Sequence, residues 1–174
     1  IFYGNGFSGM LREAVTNARN GLATIFGYYV NDPERFGIVE FDKHGRVLSV
    51  EEKPAHPKSN YCITGLYFYD GRVTEFARRV KPSARGELEI TSLNDLYLKD
   101  GSLRAKVMGR GFAWLDTGTM DSLMDAANFV QLIEKRQSIK IAALEEIAYN
   151  RGWIDRDTLL QSAGRYGKSP YGEH

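Results

Sequence analysis

The sequence predicts an α/β fold with a mixed sheet flanked by helices. Apolar runs rich in β-branched and aromatic residues alternate with amphipathic segments of helical period along the chain. Two neighbouring runs, 36–41 and 47–52, are joined by a short polar turn and predict a hairpin, which adds antiparallel strands. The chain has 174 residues and is 43% hydrophobic, which is enough for one domain with a substantial core.

The elements follow one another with clear boundaries. The patterns predict a helix capped by Ser8 and stopped by Gly21, a strand over 23–30, the hairpin strands, a strand over 61–70, helices over 73–80 and 90–100, strands over 103–108 and 112–115, a helix from Thr119 to about residue 136, and helices over 142–149 and 155–163. We interpret 1–174 as a single domain. Within it, 137–174 is a helical C-terminal region whose glycine-containing tail, 164–174, is expected to be loose.

Charge and composition narrow the class of protein. The chain has 23 basic and 22 acidic residues, so its net charge of +1 predicts no nucleic-acid partner and no membrane surface. No apolar run approaches the length of a membrane span. The single cysteine, Cys62, excludes an internal disulfide, and the three scattered histidines form no zinc-type pattern. A reducing, cytoplasmic setting is expected.

One strand ends on charged residues. Glu52 shares strand parity with Leu48 and Val50, which places its carboxylate on a mostly apolar face where it needs polar partners. Lys53 follows it and could meet a phosphate as a point charge. A solvated, charged strand edge would show the same residues, so both interpretations stay open here.

Two further positions suit a phosphorylated ligand. In the strand 61–70, Gly65 lies between Ile63 and Tyr67 on one face, and this gap marks either close approach of a ligand or a packing defect. Arg85 lies in a turn before a helix, where its planar guanidinium could hold a phosphate or merely pair with Glu87 or Glu89 on the surface.

Asp116 follows the apolar residues 112–115 directly and precedes a Thr-Gly-Thr turn. Such an aspartate either caps a helix or closes a turn, or it acts as a ligand at the end of a strand. No P-loop, nucleophile elbow or Cys/His pair is present, so the sequence does not support P-loop, hydrolase or thiol chemistry.

Taken together, six segments resemble the bacterial sugar-1-phosphate nucleotidyltransferases, and the likeness covers essentially the whole chain. The segments are DPERFGIVEFD (32–42), VEEKP (50–54), KSNYCITGLYFYD (58–70), KPSARGELEITSLN (81–94), RGFAWLDTGTMDSL (110–123) and EEIAYNRGWI (145–154). The third, fourth and fifth segments are the most specific, and they are similar to members that transfer a thymidylyl group. The resemblance implies the C-terminal part of a Rossmann-like nucleotidyltransferase fold.

The resemblance also implies a reaction. The phosphate of glucose 1-phosphate would attack the α-phosphorus of dTTP, giving dTDP-glucose and pyrophosphate with the help of Mg²⁺, in a homo-oligomer that serves dTDP-rhamnose and cell-surface polysaccharide synthesis. The implied substrate-binding residues are Gly37, Glu52, Lys53, Ile63, Tyr67 and Arg85. Asp116 would bind Mg²⁺, and Ala142, Glu146 and Ile147 match the segment that binds a dTDP-sugar effector.

The chain departs from the family in one major respect. The glycine-rich nucleotide loop and the Gly-Asp-Asn segment of the family, which carries the second metal aspartate, have no counterpart here. We therefore expect the sugar-binding half of the enzyme, inactive by itself and prone to self-association. Ser92 and Met120 are smaller departures. A uridylyl specificity and a non-catalytic sugar-nucleotide-binding module remain the alternatives.

Overall fold

The computed structural model describes all residues 1–174, which form two compact units. We call residues 2–114 the sheet unit and Ile1 with residues 115–174 the helical unit. The strands are β1 (Phe2–Gly4), β2 (Ala23–Tyr29), β3 (Gly37–Phe41), β4 (Val47–Glu52), β5 (Tyr61–Phe68), β6 (Leu103–Val107) and β7 (Phe112–Trp114). The helices are α1 (Phe7–Arg19), α2 (Val73–Arg79), α3 (Ile90–Lys99), α4 (Met120–Gln137), α5 (Leu144–Asn150) and α6 (Arg156–Tyr166).

The sheet unit is built on a mixed five-stranded sheet, which confirms the predicted fold class. Its strand order is β4-β3-β5-β2-β6, and only the β2–β6 pair is parallel. Strands β1 and β7 form a separate antiparallel pair. The predicted hairpin of β3 and β4 is present, and its register pairs Gly37 with Glu52 at the end of the hairpin away from the turn.

Apolar side chains bury the sheet against the helices. The larger cluster contains Val39, Val50, Ile63, Leu93 and Tyr97, which brings β3, β4 and β5 together with α3. A smaller cluster around Ala14, Phe26 and Met108 joins α1 to β2. Because α3 packs on β4, the first turn of α3 meets the end of that strand, where Thr91 reaches Glu52.

Two local predictions were wrong. The N-cap of α1 is Gly6, with a left-handed φ of 81°, and Ser8 lies inside the first turn. The tail is not loose, since Tyr171 donates a hydrogen bond to the Glu145 carboxylate at 2.5 Å and accepts one from the Leu144 amide at 3.2 Å. The single-domain interpretation of 1–174 stays a prediction.

The helical unit consists of α4, α5 and α6, as the sequence predicts for its C-terminal part. A reciprocal capping box between Thr119 and Ser122 starts α4, and the Asp155 side chain caps α6. No helix of either unit combines the length and the apolar character that crossing a membrane requires.

Candidate functional site

Glu52 is the centre of a cluster at one end of the β3–β4 hairpin. The register places it opposite Gly37, and the amide of Lys53 donates to the Phe36 carbonyl at 3.0 Å, which closes the hairpin end. The Glu52 side chain is 23% exposed. One carboxylate is therefore held at the edge of the core with one side accessible to a ligand.

Thr91 supplies the first partner of Glu52. Its hydroxyl donates to Glu52 Oε2 at 2.5 Å, and Thr91 itself is only 4% exposed. A methyl group built on Gly37 would lie 2.8 Å from Thr91 Oγ1, 3.1 Å from Glu52 Oε2 and 3.8 Å from Ile63 Cδ1. Four residues from four elements therefore meet at one point, and Ile63 forms the buried apolar wall behind them.

Arg85 approaches the other oxygen of the same carboxylate. Its Nη1 lies 3.9 Å from Glu52 Oε1 and 3.8 Å from Glu89 Oε1, while Nη2 donates to Glu87 Oε2 at 2.7 Å. The guanidinium is partly exposed, so the Glu87 pair contributes at most about 1 kcal/mol to stability. Such a weak, exposed pair leaves Arg85 free to exchange Glu87 for the phosphate of a ligand.

Lys53 has an unusual backbone. Its φ is 42°, in the left-handed region, although it precedes Pro54, and the residue before a proline prefers an extended conformation. Strain of this kind costs on the order of 1–3 kcal/mol and concentrates at functional sites. The Lys53 side chain is exposed and makes no ion pair in the structure, so its ammonium group is available to a ligand.

Tyr67 lies close enough to Glu52 for the carboxylate charge to affect the pKa of its phenol. Burial, and secondarily the negative charge of Glu52, raise the pKa of Tyr67 to about 12, so its phenol stays neutral. Its ring stacks on Tyr69 with the centroids 6.0 Å apart. The gap predicted at Gly65 is present as open space beside that exposed glycine.

Asn94 lies one turn after Thr91 on the buried face of α3. Its Oδ1 accepts a hydrogen bond from the Tyr69 hydroxyl at 2.6 Å, whereas its fully buried Nδ2 has no partner in the protein. Thr91 is the site residue that the sequence did not indicate, whereas Asn94 is linked to the site only through Tyr69. The only signal for Thr91 was its position in the segment 81–94, since a threonine does not suggest a ligand by itself.

Asp116 belongs to the helical unit. The helix that follows it is capped by Thr119, which excludes the helix-cap interpretation of Asp116. Its Oδ2 accepts one long hydrogen bond, 3.3 Å from the Gly118 amide two residues later, which agrees with the turn interpretation of Asp116, and it forms no ion pair. No three acidic, histidine or cysteine side chains of the chain come together as a metal site. This carboxylate could therefore provide one metal ligand, with the remaining ligands coming from elsewhere.

The residues assigned to an effector lie in the helical unit as well. Ala142 has a left-handed φ of 55°, and Ile147 is partly exposed on α5. Glu146 lies 3.1 Å from the His174 ring and lines a cavity of about 380 Å³. Ala142 and Ile147 do not line that cavity, so the structure does not bring the three residues together around it.

The mixed α/β fold and the comparison with known families assign the chain to one class of protein. Residues 1–132 match the family described as nucleotidyl transferase, which covers most of the chain. The chain belongs to this family, whose members typically use a divalent metal.

The particular relatives agree with one another. The chain is 53% identical over all 174 residues to a glucose-1-phosphate thymidylyltransferase of Neisseria gonorrhoeae and 51% identical to one of Mycobacterium tuberculosis. It spans 60% and 59% of the length of these two relatives. A crystal structure of a glucose-1-phosphate thymidylyltransferase from Bacillus anthracis in complex with a sucrose has a TM-score of 0.64 and 40% identity, and the match covers 74% of this chain and 50% of that one.

Proposed function

We propose that the whole protein transfers a thymidylyl group from dTTP to α-D-glucose 1-phosphate, and that this chain carries the sugar-phosphate half of the site. A phosphate oxygen of glucose 1-phosphate forms a bond to the α-phosphorus of dTTP. The bond from that phosphorus to the oxygen bridging to the β-phosphorus breaks, and pyrophosphate leaves. The observation that supports this proposal is the convergence of Gly37, Glu52, Thr91 and Arg85 at one partly accessible point.

Each side chain has a task that its chemistry suits. Glu52 Oε1, which is not occupied by Thr91, accepts hydrogen bonds from the sugar hydroxyls. Arg85 and Lys53 bind the phosphate, the first as a planar donor and the second as a mobile point charge. Tyr67, whose phenol is neutral, and Ile63 form the wall of the pocket. Holding the nucleophilic phosphate in position lowers the entropic part of the barrier, which is a major source of rate acceleration in phosphoryl transfer.

Mg²⁺ is the proposed cofactor, and Asp116 is the residue that would hold it. Magnesium is commonly bound by one or two carboxylates together with substrate phosphates, which is compatible with one carboxylate, Asp116, that forms no ion pair. When bound, the ion neutralises charge on the phosphates. Because the glycine-rich loop and the second aspartate of the family are not in this chain, we expect the chain alone to bind the sugar phosphate without turning it over.

The effector role of the helical unit has weaker support. The cavity at Glu146 is also lined by the carboxylates of Glu145 and Glu173, and this negative charge opposes a diphosphate. Binding of a dTDP-sugar at Ala142, Glu146 and Ile147 therefore stays a prediction from the resemblance. We further infer self-association and a cytoplasmic location, where nucleoside triphosphates are available.

Calorimetric titration of glucose 1-phosphate into the chain, with and without Mg²⁺, tests the proposal. Glu52→Ala should abolish binding, whereas Glu51→Ala, which removes the neighbouring carboxylate paired with Lys58, should leave it unchanged. Asp116→Ala should remove the dependence on Mg²⁺, with Asp121→Ala as its control. Equal binding by Glu52→Ala and the unaltered chain would refute the assignment.

A further inference from the structure

Gly37 is a glycine for a reason that its backbone does not explain. Its φ is not in the left-handed region, so any residue could adopt its conformation. The obstacle is space, since a β-carbon would lie 2.8 Å from Thr91 Oγ1 and 3.1 Å from Glu52 Oε2. These two atoms are the donor and the acceptor of one hydrogen bond.

The Thr91–Glu52 hydrogen bond gives the two oxygens of the Glu52 carboxylate different partners. Oε2 is taken by the buried hydroxyl, whereas Oε1 is the oxygen nearest to the Arg85 guanidinium, at 3.9 Å. Without the hydroxyl, the three rotatable bonds of Glu52 would let the carboxylate turn toward Arg85 with either oxygen. A buried, β-branched donor restricts that motion.

We infer that Gly37, Thr91 and Glu52 form one coupled unit in which Thr91 is a positioning residue for Glu52. The hydroxyl holds the carboxylate so that Oε1 faces the ligand, and residue 37 is glycine because the hydrogen bond occupies the space of a side chain. The functional part of this inference rests on the proposed binding of glucose 1-phosphate, whereas the steric coupling does not.

The steric coupling is tested by unfolding in urea. Gly37→Ala should lower the midpoint, because the new methyl group must displace Thr91 or Glu52. Thr91→Ala removes the obstructing hydroxyl and releases the Glu52 carboxylate to move aside, so adding Gly37→Ala to Thr91→Ala should lower the midpoint much less than Gly37→Ala alone. The control is Gly27→Ala, whose β-carbon would find ordinary contacts of 3.5 Å or more and should combine additively with Thr91→Ala. Additive effects of Gly37→Ala and Thr91→Ala would overturn the inference.

The positioning role is tested by affinity for glucose 1-phosphate. Thr91→Val, which keeps the shape and loses the hydroxyl, should weaken binding about 10- to 100-fold, the range for a hydrogen bond to a charged group. Thr91→Ser should restore most of the affinity.

Thr64→Val is the matched control, since Thr64 is equally buried and donates to the Phe26 carbonyl at 3.1 Å. It should lower stability without changing affinity. Equal affinity losses in the two valine variants would mean that Thr91 acts only on stability, and this would overturn the positioning role. If the unaltered chain binds no glucose 1-phosphate, the proposed function and the positioning role both fail, and the urea cycle still decides the steric coupling.

Discussion

Lys53 should show a trade-off between stability and binding when it is replaced by glycine. Its left-handed backbone costs a non-glycine residue about 1–2 kcal/mol, and glycine removes this cost. The greater conformational freedom of glycine in the unfolded chain offsets about 0.4–1 kcal/mol of this stabilisation. We therefore expect Lys53→Gly to be more stable by about 0.5–1 kcal/mol, or roughly 1–4 °C in the melting temperature.

The same substitution removes a cation from the phosphate. A charge-assisted hydrogen bond contributes about 1.5–3 kcal/mol, so affinity for glucose 1-phosphate should fall about 10- to 100-fold. Stability and affinity should thus change in opposite directions, as happens where a functional residue is held under strain.

Tryptophan fluorescence can follow unfolding of the sheet unit. Trp114 lies in β7, whereas Trp153 is 74% exposed and lies in the helical unit, so a Trp153→Phe background isolates the relevant signal. Lys43→Gly is the control, because Lys43 is exposed in the β3–β4 turn and has no positive φ. Lys43→Gly should lower the free energy of unfolding by about 0.4–1 kcal/mol. If Lys53→Gly is destabilised as much as this control, the left-handed backbone at residue 53 costs the lysine nothing. If the affinity of Lys53→Gly for glucose 1-phosphate is unchanged, Lys53 does not bind the phosphate.

Three further predictions concern the surrounding network. Burial raises the pKa of Asp70, but hydrogen bonds from Tyr97 and Arg72 outweigh burial and hold the pKa below 3.8, so the stabilisation by Asp70 is present above about pH 4 and is lost as the pH falls through the lowered pKa. Asp70→Asn should therefore flatten the acid limb of the stability profile measured by urea unfolding, whereas the exposed control Asp125→Asn should not. An unchanged acid limb in Asp70→Asn would contradict this. Asn94→Leu should lower the free energy of unfolding by about 1–3 kcal/mol, because it leaves the Tyr69 hydroxyl unpaired. Adding Tyr69→Phe should recover part of that loss in thermal melts. Fully additive effects of the two substitutions would contradict the pairing. Glu87→Gln should release Arg85 and so tighten glucose 1-phosphate binding several-fold in calorimetry, with the free energy of unfolding changing by less than about 1 kcal/mol. Glu75→Gln is the control. Weaker binding by Glu87→Gln would mean that Glu87 orients Arg85.

Local sequence patterns predicted the elements well because those patterns are short-range. The hairpin, α3 and α4 follow directly from apolar period and turn residues. The register was harder to predict. The β3–β4 pairing shifts between Glu40 and Phe41, and Leu48, which strand parity places on the apolar face, is 54% exposed. A bulge of this kind leaves no mark in a simple alternation.

The candidate site was predicted in part. Glu52 was found because a carboxylate at an apolar strand end needs partners, but the partner itself, Thr91, is 39 residues away and depends on how α3 packs on β4. Arg85 was equally compatible with a surface pair, and the structure shows that it approaches Glu87 and Glu52 together. Contacts of this range follow from tertiary packing, which no local pattern contains.

An ¹⁵N-resolved NMR titration in the presence of Mg²⁺ would locate glucose 1-phosphate on the chain. A sugar-phosphate half-site in the sheet unit predicts that the amides of Gly37, Lys53, Arg85 and Thr91 shift together in a saturable manner. Shifts confined to residues 142–174, or a folded chain with no saturable shifts, would contradict a sugar-phosphate site in the sheet unit.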